Sequence, residues 1–572
     1  MRVYVCFFFA LILTIALKAD AQLTTQSKQY TRADTLRGSI GPGRVWWDVS
    51  WYGIEVKPDY TDKSLTGNAT IRFRTIAKGR RMQLDLQAPM EIKSVQFRGN
   101  LLEVQRDGNA WFIDFPELFE PGKNHEIQVA FQGKPKIAVQ PPWDGGWIFT
   151  RDKKGRPWMS VACQGLGASV WMPCKDHQAD EPDSMQLSIT VPDTLTAIAN
   201  GRLRSVASTT GRRKTWTWAV SNPINTYNIV PYIGVYDHWE DSYSGEKGRL
   251  DRSFWVLDYQ LEKAKNQFKQ VDTMLRCFEN WFGPYPFYED GFKLVESPHL
   301  GMEHQSAVAY GNGFVNGYRG QDLSRTGLGL KWDFIIIHES GHEWFGNNIS
   351  AKDIADMWIH ESFTNYSETI YTACQSGLPA GNAYLIGTRK LIENQAPIVG
   401  PYGVNEEGSG DMYYKGGNMI HYMRQLIGND SLFRMGMRGM NERFRHQTVT
   451  YEDILTFWNL KTGKNFTKLF DQYLRDIRIP ELQWNIKGNK LKFRWANCMD
   501  GYDVPVRVYL QGFAEGIWLN PGKTWKTIDL AGKKKPSGKT GQESGISVDP
   551  KGYENPALII DPNLYCTEKR VR

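Results

Sequence analysis

The spacing of apolar residues along this 572-residue chain changes twice, and these changes limit the folds open to it. From about residue 45 to 240 apolar and polar residues alternate, for example over 187–191, which is typical of half-buried β-strands. From Leu261 to Phe282 the spacing is three and four residues, which predicts a long amphipathic helix. After Pro480 the alternation returns. The sequence therefore predicts a multidomain α+β protein.

The length is too great for one hydrophobic core, so we expect separate domains. The predicted division is a signal peptide (1–21), an N-terminal all-β domain (22–250), a mainly helical domain (251–480) and a small C-terminal β domain (481–572). The formal charge of +7 is small for this length. It gives no reason to expect a nucleic-acid partner.

The first residues have the features of an export signal. Arg2 precedes an apolar run from Val3 to Leu17, and Ala19-Asp20-Ala21 has the small-x-small form of a cleavage site. The run is too short to cross a membrane comfortably. We therefore expect a secreted or periplasmic protein that begins at Gln22, without a transmembrane segment after cleavage. An uncleaved anchor is the alternative.

Six cysteines follow the signal segment, and an oxidising compartment would allow some of them to pair. The sequence does not fix the connectivity. Two pairs are possible, Cys498 with Cys566 and Cys163 with Cys174. Cys277 and Cys374 lie in helical patterns, and we expect them to be buried thiols.

The pentapeptide His338-Glu339-Ser340-Gly341-His342 has the spacing of a metal site. On a helix its two imidazoles lie one turn apart on one face, and Glu339 points into the same cavity as a candidate general base. Two core histidines with a surface glutamate are the alternative. A further carboxylate, Glu361, follows nineteen residues after His342. Two histidines and a carboxylate leave a fourth zinc position for water, so we expect one catalytic Zn²⁺ bound by His338, His342 and Glu361.

The residues around this motif resemble a known family. Residues 338–347 read H-E-S-G-H-E-W-F-G-N, and residues 358–366 read W-I-H-E-S-F-T-N-Y. Both are similar to the zinc aminopeptidases of the aminopeptidase N and leukotriene hydrolase type, which are gluzincin metallopeptidases. The resemblance implies a thermolysin-like catalytic domain between two β domains and the removal of N-terminal residues from peptides with a free N-terminus. Many members carry a further helical cap domain, and we expect none here.

A second motif, Leu300-Gly301-Met302-Glu303-His304, resembles the G-x-M-E-N exopeptidase signature of the family. The resemblance implies that Glu303 binds the substrate α-ammonium by a charge-assisted hydrogen bond, with Gly301 and Met302 beside the substrate. Leu300 and His304 depart from the pattern, and these departures concern the shape of the first specificity pocket more than the role of Glu303. An ordinary glutamate at a strand edge is the alternative.

Two further positions are assigned through the same resemblance. Gln164 lies ten residues before Cys174, and it is expected to share the substrate amine with Glu303 unless it only bonds within its own domain. Residues 413–416 read Y-Y-K-G and resemble the family's Y-x-K-G, which implies that Tyr413 donates a hydrogen bond to the developing oxyanion. Tyr414 is the alternative for that role.

Three other functions remain open at this point. A zinc endopeptidase would cleave N-terminally acetylated peptides internally. The family's lipid-epoxide hydrolysis is disfavoured, because the usual partners of an acidic lipid lie in the helical domain. A non-catalytic interaction protein is disfavoured by the complete set of ligands, base and tyrosine, and chelator-sensitive turnover would exclude it.

Overall fold

The structure is a computed structural model that describes residues 28–510, 513, 515–531 and 558–571. The predicted signal peptide and the predicted first residue, Gln22, lie outside these residues. Within them, no helix combines the length and the apolar character needed to cross a membrane.

The N-terminal region is built almost entirely of strands, as the alternating pattern predicts. A short helix, α1 (Arg32–Gly38), comes first. The strands are β1 (Trp47–Asp59), β2 (Ser64–Thr75), β3 (Gly79–Asp85), β4 (Glu91–Phe97), β5 (Asn100–Leu102), β6 (Val104–Asp107), β7 (Ala110–Phe119), β8 (Asn124–Gly133), β9 (Gly146–Arg151), β10 (Pro157–Ala162), β11 (Ser184–Pro192), β12 (Thr196–Ile198), β13 (Arg202–Thr209), β14 (Arg213–Val220), β15 (Tyr232–Gly234), β16 (Tyr236–Gly245) and β17 (Gly248–Leu257).

These strands form one large sheet and two smaller ones. The eight-stranded sheet has the order β13-β14-β11-β1-β2-β8-β4-β5, in which β1 and β11 run parallel with Trp51 opposite Ser184. The smaller sheets have the orders β12-β15-β10-β9 and β3-β7-β6. Because successive side chains of a strand point to opposite faces, one face of each strand is directed into the core. An aromatic cluster that includes Trp46, Phe73 and Phe119 fills the core between the sheets.

The next sheet carries one wall of the functional cleft. Its additional strands are β18 (Phe292–Glu296), β19 (Gly301–Met302) and β20 (Val308–Tyr310). The order is β16-β17-β18-β20-β19, so β19, which contains part of the G-M-E-H motif, lies at the sheet edge. The domain boundary predicted after residue 250 falls inside β17, and the division stays a prediction.

The middle of the chain is mainly helical. Its elements are α2 (Leu261–Gln267), α3 (Gln270–Phe282), α4 (Phe334–Gly341), β21 (Ile349–Ala351), α5 (Trp358–Ser376), α6 (Leu378–Thr388), α7 (Asp411–Ile427), α8 (Asp430–Arg443), β22 (Gln447–Val449), α9 (Tyr451–Thr462) and α10 (Thr467–Arg475). The single helix predicted from Leu261 to Phe282 is instead divided between α2 and α3. At this break Phe268 packs against Tyr310, with ring centroids 4.9 Å apart, and against Phe314.

The disulfide expectation is wrong. Cys277 on α3 and Cys374 on α5 are joined by a disulfide, whereas the other four cysteines of the described chain are free thiols. Helices α3 and α5 pack side by side, which brings the two Cα atoms to 6.2 Å, within the range of a disulfide. The spacing of residues along one helix cannot show which other helix packs against it.

The C-terminal region returns to strands and completes the predicted α+β architecture. It contains β23 (Glu481–Lys487), β24 (Lys490–Ala496), β25 (Val506–Leu510), β26 (Ile517–Leu519), β27 (Lys526–Asp529), β28 (Leu558–Ile560) and β29 (Thr567–Arg570). They form sheets of order β27-β24-β23-β29 and β26-β25-β28. The turn between β28 and β29 contacts α7, where His421 meets the side chain of Asn563. The absence of a helical cap domain stays a prediction.

Candidate active site

The predicted metal ligands converge between α4 and α5. The Nε2 atoms of His338 and His342 lie 3.3 Å apart, and Oε2 of Glu361 lies 3.6 Å from the first and 3.4 Å from the second. All three side chains are buried, and Oε2 of Glu361 has no hydrogen-bond partner in the described residues. A buried, unpartnered carboxylate oxygen facing two imidazole nitrogens matches the donor set that zinc prefers. The residues present therefore fit a zinc ion.

The opposite nitrogen of each imidazole is held in place by the protein. Nδ1 of His338 donates to Oε1 of Glu368 at 2.8 Å, and Nδ1 of His342 donates to the carbonyl of Phe345 at 2.9 Å. These contacts fix the ring orientation and leave Nε2 of each ring available to a metal. Glu368 was not predicted. Its position two helical turns after Glu361 on α5 is the sequence signal that could have identified it.

The backbone that follows the His338–His342 motif explains why residue 346 is glycine. The chain leaves α4 through an irregular turn at Glu343–Asn347, in which Gly346 has φ 127°. A Cβ atom on Gly346 would lie 3.2 Å from Nδ1 of His342. Glycine therefore permits both the backbone angle and the close approach, and the turn directs the carbonyl of Phe345 back to His342.

Glu339 lies beside this cluster and against β19. Burial raises the pKa of Glu339 to about 7, although the charges of the two histidines lower it. A Cβ atom on Gly301 would lie 2.6 Å from Oε1 of Glu339, so the strand edge can approach the carboxylate only because that residue is glycine. The structure thus brings the predicted base and the predicted Gly301 together.

The carboxylate of Glu303 is buried in the same cleft. Its Oε1 atom accepts hydrogen bonds from Nε2 of Gln164 at 2.5 Å and from the hydroxyl of Tyr227 at 3.0 Å. Burial raises the pKa of Glu303, and the nearby charge of His342 lowers it. The amide of Asn347 donates to the Glu303 carbonyl at 2.7 Å, which ties the end of the zinc motif to the exopeptidase motif.

The structure therefore places Gln164 next to Glu303 and adds Tyr227, which was not predicted. Tyr227 lies in a short turn, Thr226–Asn228, with no recognisable motif around it. Met302 is buried in the core of the N-terminal domain, and only its backbone belongs to the strand edge. His304 is also buried, and its Nδ1 atom pairs with the hydroxyl of Tyr232 at 2.6 Å.

The two neighbouring tyrosines at the start of α7 have different surroundings. The ring of Tyr413 stacks beside His338 with centroids 6.0 Å apart, and burial and then the charge of Glu361 raise its pKa. Burial is the larger cause that raises the pKa of Tyr414, and the charge of Glu368 is the second. Glu368 contacts Nδ1 of His338, the ring nitrogen that faces away from the candidate metal position. The contacts thus place Tyr413 on the side of the candidate ligands.

Two family models match the chain. The peptidase family M1 domain matches residues 266–473, and the peptidase M1 N-terminal domain matches residues 49–228. The matches thus include both the zinc cluster and the region of Gln164.

Curated relatives and solved structures agree with this match. Probable aminopeptidase 1 of Sulfurisphaera tokodaii is 20% identical over 83% of this chain, and aminopeptidase B of Rattus norvegicus is 26% identical over 54% of it. The chain spans only 60% and 47%, respectively, of these two relatives. An M1 zinc metallopeptidase from Deinococcus radiodurans has the same fold, with a TM-score of 0.66 and 20% identity over 78% of this chain and 98% of that one.

Proposed function

The chain belongs to peptidase family M1, and from this premise we propose that it is a zinc-dependent aminopeptidase that removes N-terminal residues from peptides. The observation that carries the proposal is the buried carboxylate of Glu303 beside the ligands His338, His342 and Glu361. A negative charge held at this position by Gln164 needs a cation, and the α-ammonium of a peptide supplies one.

The substrate backbone is expected to align along the edge strand β19. An extended peptide can add to an exposed sheet edge through main-chain hydrogen bonds, and glycine at position 301 lets the edge pass close to Glu339. The amide nitrogen of Gln164 already donates to Glu303, so its amide oxygen remains to accept a proton of the α-ammonium. Only one residue then fits between the ammonium site and the scissile bond.

The chemical roles follow from the positions of the side chains. His338, His342 and Glu361 would hold the zinc ion, which would supply a Lewis acid for activating a water and polarising the scissile carbonyl. Glu339 accepts the proton of the attacking water and delivers it to the leaving amine. Tyr413, a neutral phenol facing the same space, donates a hydrogen bond to the developing oxyanion.

We also propose that the protein is exported and acts in a secreted or periplasmic location. The predicted signal peptide supports this, and so does the disulfide between Cys277 and Cys374, since disulfides persist in oxidising compartments. N-terminal sequencing of protein exported by its native host tests the cleavage before Gln22. A mature chain that retains residues 1–21 would contradict it.

A panel of aminoacyl 4-nitroanilides, assayed with and without a chelator, tests the enzymatic proposal. We expect turnover that the chelator abolishes and that added Zn²⁺ restores. Acetylation of the substrate amine should prevent cleavage, because the acetylated nitrogen carries no charge for Glu303. Internal cleavage of acetylated peptides would instead favour the endopeptidase alternative, and a complete lack of turnover would favour the non-catalytic one.

A further inference from the structure

A groove separate from the zinc site lies where the large N-terminal sheet meets the sheet that carries β19. One wall is formed by residues of β13 and β14, and the other by residues of β16, β17 and β18. Its volume of about 690 Å³ is within the range of about 300–1,000 Å³ that is usual for small-molecule sites. None of the described residues that line it belongs to the candidate active site. We call it the lysine groove, after Lys293 in its wall.

Strand alternation determines which side chains form the second wall. In β17 one set of alternate residues is buried in the core of the helical region, whereas Ser253 and Trp255 face the groove. The register places Lys293 of β18 beside Ser253, and Glu240 of β16 on the other side of Ser253. Because neighbouring strands are about 4.8 Å apart, Glu240, Ser253 and Lys293 form one row across this wall.

Lys293 is a buried lysine without a carboxylate partner. It is 2% exposed, its Nζ lies 5.3 Å from the ring centroid of Trp218 on the opposite wall, and it donates a hydrogen bond to the carbonyl of Gly201. In the described part of the chain it forms no ion pair. Burial lowers the pKa of Lys293 to about 7, and Asp290 is the main charge that raises it. The Asp290 carboxylate, however, already accepts from three N–H groups of residues 221–222.

The buried donors of the groove outnumber the acceptors that face them. An ammonium has three N–H donors, and the carbonyl of Gly201 accepts one from Lys293. Nε1 of Trp216, on the opposite wall, is buried without a hydrogen-bond partner among the described residues. On the wall of Lys293, Asp251 already accepts from two arginines, and Glu240 is exposed to water at the edge. A buried charge is costly unless it is paired, so the groove favours a ligand that supplies acceptor oxygens and a negative charge.

We propose that the lysine groove is a second binding site, which takes a small organic carboxylate and pairs it with Lys293. The carboxylate accepts a charge-assisted hydrogen bond from the ammonium, and its second oxygen can accept from Nε1 of Trp216. The partly exposed ring of Trp216 offers an apolar face to the carbon part of the ligand. Free amino acids and the C-termini of peptides both carry this group. The site does not depend on the proposed aminopeptidase function.

The test compares ligands that differ in charge but hardly in shape. N-acetyl-L-phenylalanine and its amide both lack the α-ammonium that Glu303 would bind, and only the first is an anion. Calorimetry with the zinc-loaded protein should show binding of the acid about tenfold or more tighter than that of the amide. Acetyl-Ala-Ala-Phe separates the two sources of the carboxylate: binding comparable to the single residue assigns peptide C-termini, and much weaker binding assigns free amino acids. Inorganic phosphate that binds as tightly as the acid would overturn the assignment to carboxylates.

Variants in the row of Lys293 show whether the binding occurs in this groove. Lys293→Met should remove the preference for the acid and leave leucyl 4-nitroanilide hydrolysis unchanged. Ser253→Asp places a carboxylate beside Lys293 and should also prevent binding of the acid, which keeps the test decisive if Lys293→Met does not fold. Ser242→Asp is the matched control, because Ser242 is exposed on the same hairpin outside the groove lining, and it should retain the binding. Equal binding of acid and amide by the wild type, or acid binding that persists in Ser253→Asp, would overturn the proposal.

Discussion

Replacement of Glu303 tests what kind of peptidase this is. Its Oε1 atom accepts hydrogen bonds from Gln164 and Tyr227, and the carboxylate is 2% exposed, so a bound α-ammonium would meet it largely without water. Loss of a charge-assisted hydrogen bond costs about 1.5–3 kcal/mol. A free-energy loss of this size means that Glu303→Ala should lower kcat/KM about ten- to two-hundredfold for substrates with a free amine.

The assay pairs each free-amine peptide with its acetylated analogue and includes a zinc determination. The loss should be confined to the free-amine substrates, since an acetylated terminus makes no ionic contact with Glu303. Zinc content should stay at one per chain, because Glu303 is outside the His338, His342 and Glu361 cluster. Glu296→Gln is a suitable control: Glu296 is also buried, but it accepts from the N–H of Leu257.

Two related variants refine the same prediction. Gln164→Ala should produce a smaller loss of the same kind, and the double variant with Glu303→Ala should be non-additive because both side chains bind one ammonium. Tyr227→Phe removes a donor to Glu303 and should shift KM more than kcat, because it disturbs only the placement of the carboxylate. Equal weakening of free and acetylated peptides by Glu303→Ala would refute the ammonium site and favour an endopeptidase.

Three further predictions concern the base, the oxyanion donor and the disulfide. Glu339→Gln should keep its zinc and lose nearly all turnover; substantial residual activity would show that another group is the base. Tyr413→Phe should lower kcat about a hundredfold with little change in KM, whereas Tyr414→Phe should be nearly silent, and reversed results would exchange the two roles. The double variant Cys277→Ser and Cys374→Ser should lower the free energy of unfolding by about 2–4 kcal/mol in chemical denaturation, and an unchanged value would argue against the pairing in the folded protein.

The candidate metal ligands could be predicted because their geometry is almost local. Residues four apart on a helix share a face whatever surrounds them, so the spacing of His338 and His342 already implies a common ligand position. Glu361 follows from its place in the next apolar-periodic helix. The alternation of apolar residues likewise determines the β and α regions, because a strand or helix must bury one face.

The sequence by itself determined the β and α regions of the chain and the common face of His338 and His342. Only the tertiary structure decided which distant elements meet. It placed Tyr227 on Glu303, joined Cys277 to Cys374 and turned Tyr413 toward the candidate ligands. The physical reason is that periodicity constrains each segment separately, whereas contacts across 76 or 97 residues depend on how the segments pack together.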